Sequence, residues 1–135
     1  MNKVFVLILG ALVLALAACS SSVAQPISIE VTEFKFQPAT LEVSAGRPVK
    51  LTLLNKGTVE HDWAIMKIPM TGMSDSAMAG HNMSGMPNAP ELHMNAMPGR
   101  TAQLEFTPSE KGTYQIICLV AGHKEAGMVG TLVVK

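Results

Sequence analysis

With 135 residues and 48% apolar side chains, the chain has room for one domain and material for one core. Its ten basic and ten acidic side chains cancel, which excludes the strongly basic surfaces that nucleic-acid partners require.

The chain opens with Met1-Asn-Lys3, a short positive stretch, followed by an almost unbroken apolar run from Val4 to Ala18. A run this short reads as the core of a signal peptide, residues 1–18, and not as a full membrane span. It ends Leu16-Ala-Ala-Cys19 and continues in serines. This resembles a bacterial lipobox, which implies that Cys19 carries lipid and that the chain is exported. The domain would then be held on a membrane facing the periplasm or the cell exterior. The bland alternative is an ordinary signal peptide that ends near a cysteine. With Cys19 lipidated, Cys118 is the one remaining thiol and no intrachain disulfide can form. Residues 19–26, small, polar and ending in proline, read as a tether.

Residues 27–135 read as the folded domain. Ile27, Ile29 and Val31 alternate with polar neighbours, the period of a half-buried strand. Phe34 and Phe36 change that phase, so a bulge or bend is predicted near Glu33. Leu41 and Val43 form a short strand that Ser44 to Pro48 ends as a turn. Val49, Leu51 and Leu53 define the next strand, and Asp62 to Lys67 another, with Trp63 and Ile65 on one face. Ala102, Leu104 and Phe106 alternate cleanly, Tyr114, Ile116 and Cys118 share a face, and Leu132 with Val134 completes the set. No segment after the leader sustains a helical period. About seven to eight short strands with regular turns predict an all-β, antiparallel Greek-key β-sandwich.

Between Met66 and Met97 the strand pattern lapses. Eight of the ten methionines fall in this window, at Met66, Met70, Met73, Met78, Met83, Met86, Met94 and Met97, and His81 and His93 lie there too. The window reads as a methionine-rich loop insertion, residues 66–97. Thioethers select Cu(I), so Met70, Met73, His81, Met83 and Met86 are candidate auxiliary copper ligands. Two alternatives stand beside this: an adaptable apolar flap over the sandwich, and a soft docking surface.

The last stretch is the richest in chemistry. Cys118-Leu-Val-Ala-Gly-His123-Lys-Glu-Ala-Gly-Met128 sets a thiolate, an imidazole and a thioether at C-x4-H-x4-M between two strands. Soft sulfur and borderline nitrogen donors favour copper over magnesium or calcium. A site of two histidines, one cysteine and a weak axial methionine is that of a blue-copper centre. The second histidine is expected from Asn55-Lys-Gly-Thr-Val-Glu-His61-Asp-Trp63.

These segments together resemble the cupredoxins, the small blue copper proteins of the plastocyanin, auracyanin and rusticyanin type. The resemblance runs from about Ile27 to Lys135. It rests on Asn55-Lys56-Gly57 before His61, on Phe106-Thr-Pro before Lys111-Gly112-Thr113-Tyr114, and on Cys118, Gly122-His123 and Gly127-Met128-Val129-Gly130. It implies one type 1 copper held by His61, Cys118, His123 and Met128, with His123, on the exposed loop, as the electron port amid Val120, Ala121 and Gly122. It also implies that a polar residue after the first histidine ties the ligand loops together. Asp62 stands there in place of the usual Asn, and Ala121 stands where many relatives carry proline. Tyr114 is expected at a Greek-key corner.

The function so implied is carriage of single electrons between redox proteins, expected as neighbours at the membrane, with no catalysed reaction. The rival from another class is a copper chaperone or buffer acting through the methionine-rich loop. Enzyme readings fit poorly. A multicopper oxidase needs histidines flanking its cysteine, and Ile117 and Leu119 flank Cys118. A binuclear copper centre needs a second nearby cysteine, and a zinc hydrolase wants an open coordination position.

Overall fold

The computed structural model describes residues 23–73 and 87–135, and every structural statement below concerns these. Cys19, His81, Met83 and Met86 lie outside them.

Ten strands form two five-stranded sheets. In chain order they are β1 (Gln25–Thr32), β2 (Lys35–Gln37), β3 (Thr40–Val43), β4 (Val49–Asn55), β5 (His61–Ile65), β6 (Met70–Met73), β7 (Leu92–Ala96), β8 (Thr101–Pro108), β9 (Gly112–Ile117) and β10 (Val129–Val134). One sheet runs β2-β1-β4-β8-β6 and the other β3-β10-β9-β5-β7. The alternation seen in the sequence explains their packing. Ile29 and Val31, Leu51 and Leu53, Leu104 and Phe106, and Leu132 and Val134 all turn inward and are buried. Trp63, fully buried, meets Phe106 of the opposite sheet at a ring-centroid distance of 6.3 Å. The Tyr114 hydroxyl donates to the Glu110 carbonyl oxygen at 3.1 Å, a corner contact of the kind predicted.

The sandwich differs from the sequence reading in three ways. It is not wholly antiparallel, because β1 pairs with β4 and β3 with β10 in parallel. These are contacts between segments distant in the chain, which local periodicity does not encode. Residues 19–26, read as a tether, overlap the first strand, since Gln25 and Pro26 already pair with Val49 and Lys50. Proline is tolerated there because β2 covers only the far end of β1, Glu30 to Thr32, leaving the other edge unpaired at Pro26.

The third difference concerns the methionine-rich window, which is not one loop. It contains β6, which pairs with β8 across a bulge, and β7, which pairs with β5 over its whole length. Met94 faces Trp63 in that ladder and is buried, so it is committed to the core. Irregular spacing of methionines concealed a strand in which Leu92, Met94 and Ala96 do alternate.

Candidate metal centre

One end of the sandwich gathers five chain segments: the β1–β2 turn, the β4–β5 loop, the end of β7, the end of β9 and the start of β10. Backbone hydrogen bonds lock them together. Lys56 N–H donates to the Val31 carbonyl at 2.8 Å, and Asn55 N–H to that of Arg100 at 3.0 Å. The fully buried Asn55 side chain completes the frame. Its amide donates to the carbonyls of Val59 at 2.7 Å and Ala96 at 2.8 Å, while its oxygen accepts the Gly57 N–H at 2.8 Å. A buried side-chain amide with these partners satisfied is a rigid joint.

His61 leaves this frame as the first residue of β5 and is fully buried. The C-terminal loop brings the other donors. It coils through a series of turns in which His123 N–H donates to the Val120 carbonyl at 3.0 Å and Met128 N–H to that of His123 at 2.9 Å. Gly122 and Gly127 supply the left-handed backbone this requires, at φ 82° and 95°. The Cys118 N–H reaches back to the Met128 carbonyl at 3.4 Å, closing the loop on itself.

The result is a buried trio. Donor atoms of His61, Cys118 and His123 all lie within 4.8 Å of one another. The Cys118 sulfur is 3.5 Å from His123 Nδ1 and takes the Asp62 backbone N–H at 3.4 Å. Met128 is buried at the same end, tied through its backbone to both Cys118 and His123.

Electrostatics mark the trio as built for something other than internal hydrogen bonding. Neither ring nitrogen of His61 has a hydrogen-bond partner. Leaving such a group buried and unpaired costs about 1–3 kcal/mol. Burial, with His123 alongside, holds the His61 imidazole below its ordinary pKa and therefore neutral, the form that can ligate. Burial likewise pushes the Cys118 thiol up, against the hydrogen bonds from the Asp62 and Val120 backbones. A proton or a metal ion must balance that sulfur, and two imidazoles with one thiol suit a soft or borderline metal. The residues present fit copper.

The remaining predicted residues fall as follows. The Asp62 side chain does not tie the ligand loops together, because strand alternation turns it away from His61. Its carboxylate lies 3.4 Å from His93 Nε2, and only its backbone N–H addresses the cysteine. Met70 and Met73 lie on β6, at the edge of the sheet that does not carry the Cys118 loop. Met70 packs partly against the core and Met73 is exposed.

Two residues that sequence reasoning passed over stand beside the histidines. Phe34, in the β1–β2 turn, sets its ring edge-on to His123 at a centroid distance of 5.2 Å. Glu33 accepts hydrogen bonds from Thr58 N–H at 2.5 Å and Thr58 Oγ at 2.8 Å, next to His61. The change of phase at Phe34 was their only trace in the sequence.

Comparison with known proteins agrees with this architecture. The family model for the cupredoxin-like domain matches residues 5–134. The copper-resistant cuproprotein CopI of Rubrivivax gelatinosus is 30% identical over 105 residues, covering 75% of this chain and 60% of that protein. The chain thus spans less than two thirds of that relative's length. Auracyanin A, a "blue" copper protein of Chloroflexus aurantiacus, superposes with a TM-score of 0.57 at 28% identity, covering 82% of this chain and 99% of auracyanin A. The auracyanin of Roseiflexus castenholzii shares the fold with a TM-score of 0.64 at 22% identity, covering 83% of this chain and 98% of that one.

Proposed function

We propose, from the premise that this chain belongs to the cupredoxin-like family, that it is a type 1 copper protein carrying single electrons between redox proteins. The observation that carries the reading is the buried His61–Cys118–His123 trio, with both His61 nitrogens left unpartnered. Copper bound there supplies one-electron chemistry, alternating between Cu(II) and Cu(I). His61, Cys118 and His123 would hold it as the strong donors, and Met128 would be the weak fourth one. The protein's own contribution is to hold these side chains still and dry, through the Asn55 joint and the turns of the Cys118–Met128 loop. A site that need not rearrange when its charge changes favours fast exchange of an electron. His123, whose ring is braced by Phe34 near the surface, is the port through which it passes.

We infer also that the domain is exported and held at a membrane through Cys19, so that its redox partners are membrane-associated. The leader and the Leu16-Ala-Ala-Cys19 sequence support this.

An absorption spectrum of the oxidised, copper-loaded protein tests the copper assignment. An intense thiolate-to-copper band in the visible is expected, and Cys118→Ser should abolish it. A colourless loaded sample would refute the reading.

The likeness to a copper-resistant cuproprotein favours a second reading, in which the chain handles copper for tolerance through its methionines. Replacing Met78, Met83 and Met86 by leucine and His81 by asparagine separates the two. Electron exchange should survive these changes, whereas copper tolerance conferred on a sensitive host should fall if the methionines carry the function.

A further inference from the structure

The β1–β2 turn reaches over both histidines, and neither of its central residues is explained by the fold. Phe34 adopts φ 62° and is 46% exposed. Left-handed backbone at the third position of a tight turn is ordinarily given to glycine or asparagine, and a bulky side chain there is strained. Burial of the ring does not compensate, since half of it meets solvent. What the ring gains is its edge-on contact with His123.

Glu33 is equally particular. Its carboxylate is held by two hydrogen bonds from Thr58, which lies on the loop leading to His61. Between the carboxylate and the imidazole stands Gly57. A Cβ there would lie 2.8 Å from His61 Nε2 and 2.9 Å from Glu33 Oε1, so the absent side chain leaves the space across which the two groups face each other. With Nε2 turned toward Gly57, Nδ1 is the His61 nitrogen free to ligate. A ligating histidine carries its proton on the other nitrogen, and that N–H is ordinarily given to a carboxylate, carbonyl or water. Nε2 has no such acceptor within hydrogen-bond reach, and the Thr58-anchored carboxylate stands beside it.

We propose that Glu33 is the positioning residue for His61: its carboxylate takes the Nε2–H when Nδ1 ligates copper, fixing the ring's tautomer and favouring the more positive metal. The inference rests on the copper reading above. Phe34 braces the second histidine from the same turn, so one two-residue segment outside both ligand loops orients both imidazoles. The negative charge of Glu33 favours Cu(II) over Cu(I).

Copper-loaded wild type, Glu33→Gln and Glu33→Ala should be compared by voltammetry and by proton NMR of the reduced, diamagnetic protein. All three should keep the visible band when oxidised. Removing the charge should weaken Cu(II) relative to Cu(I) by about tenfold, which raises the potential by about 59 mV. The His61 Nε2–H should exchange with solvent faster in Glu33→Ala. In Glu33→Gln, whose amide oxygen still accepts, it should stay protected. A residue that only braces the turn would lower the melting temperature without moving the potential or this exchange. If the potential and the exchange are both unchanged in a protein that remains blue, the inference is overturned and the copper reading stands. A colourless wild type overturns both.

Discussion

Gly57→Ala isolates the frame beneath His61 with a single methyl group. The new Cβ would stand 2.8 Å from His61 Nε2, 2.9 Å from Glu33 Oε1 and 3.2 Å from Asn55 Oδ1. Three polar atoms cannot all retreat at equal cost. Asn55 is fully buried and fixed by the carbonyls of Val59 and Ala96, so it holds its place. His61 is buried in the ladder with Ala96 and can only tilt. Glu33 is exposed and can swing out, at the loss of its two bonds from Thr58. Overpacking of this kind costs about 1–3 kcal/mol, and the mobility of Glu33 places it toward the lower end. For a domain of about 100 residues, 1 kcal/mol lowers Tm by roughly 4–8 °C. The control is Gly72→Ala on β6, where nothing lies within 4 Å and the backbone is not left-handed. There alanine should be neutral or stabilising by about 0.5–1 kcal/mol. Apo-protein melting, followed by copper titration and the visible spectrum, reads both effects. Gly57→Ala should melt lower and show a shifted or weakened band, while Gly72→Ala shows neither. An unchanged melt and an unchanged band in Gly57→Ala would mean that Gly57 does not pack against the His61 ring.

Met128→Gln should lower the reduction potential and retain the blue band, because a harder axial oxygen stabilises Cu(II); an unchanged potential by voltammetry would remove Met128 from the ligand set. Since burial raises the Cys118 pKa above 9.0, copper uptake near neutral pH should release a proton from that thiol. Apparent affinity should then rise about tenfold per pH unit, and a flat profile in competition titrations would contradict a protonated thiol. Apo stability should fall on acidification from two groups. Below pH 6.5 the unfolded chain protonates His61 while burial keeps the folded ring neutral. Glu33, lowered from 4.5 to about 2 chiefly by the Thr58 backbone N–H, stabilises the fold above pH 4.5 and loses that contribution as pH falls toward about 2. Glu33→Gln should flatten the lower part of that decline in urea titrations and leave the part near pH 6 in place. Wild-type protein should fractionate with membranes and Cys19→Ala should either block processing or release the domain; a wholly soluble wild type with an unmodified N-terminus would refute lipidation.

Much of this protein is local, and what is local was legible. The sandwich class followed from two-residue alternation, because a strand with one buried face must repeat its apolar side chains at that period. Cys118, His123 and Met128 share one loop, so their spacing alone marked them as a set. Their glycines marked the turns that gather them. His61 was found only through its flanking residues, since nothing in linear spacing ties it to Cys118. The strand β7 was missed because methionine spacing drew attention from the Leu92–Met94–Ala96 alternation. Asp62 was misjudged although the same alternation, applied one residue after His61, turns its side chain to the other face.

What only the tertiary structure decided depends on which strands meet. The parallel pairing of β1 with β4 sets Val31 opposite Asn55, and so brings the Glu33–Phe34 turn, far from either ligand segment in the chain, against both histidines. The sequence marked the candidate donors, because a metal selects by atom type and a loop presents its own atoms together. The structure determined their surroundings, because the carboxylate, the ring edge and the missing Cβ converge through sheet register, a long-range contact that no local pattern records.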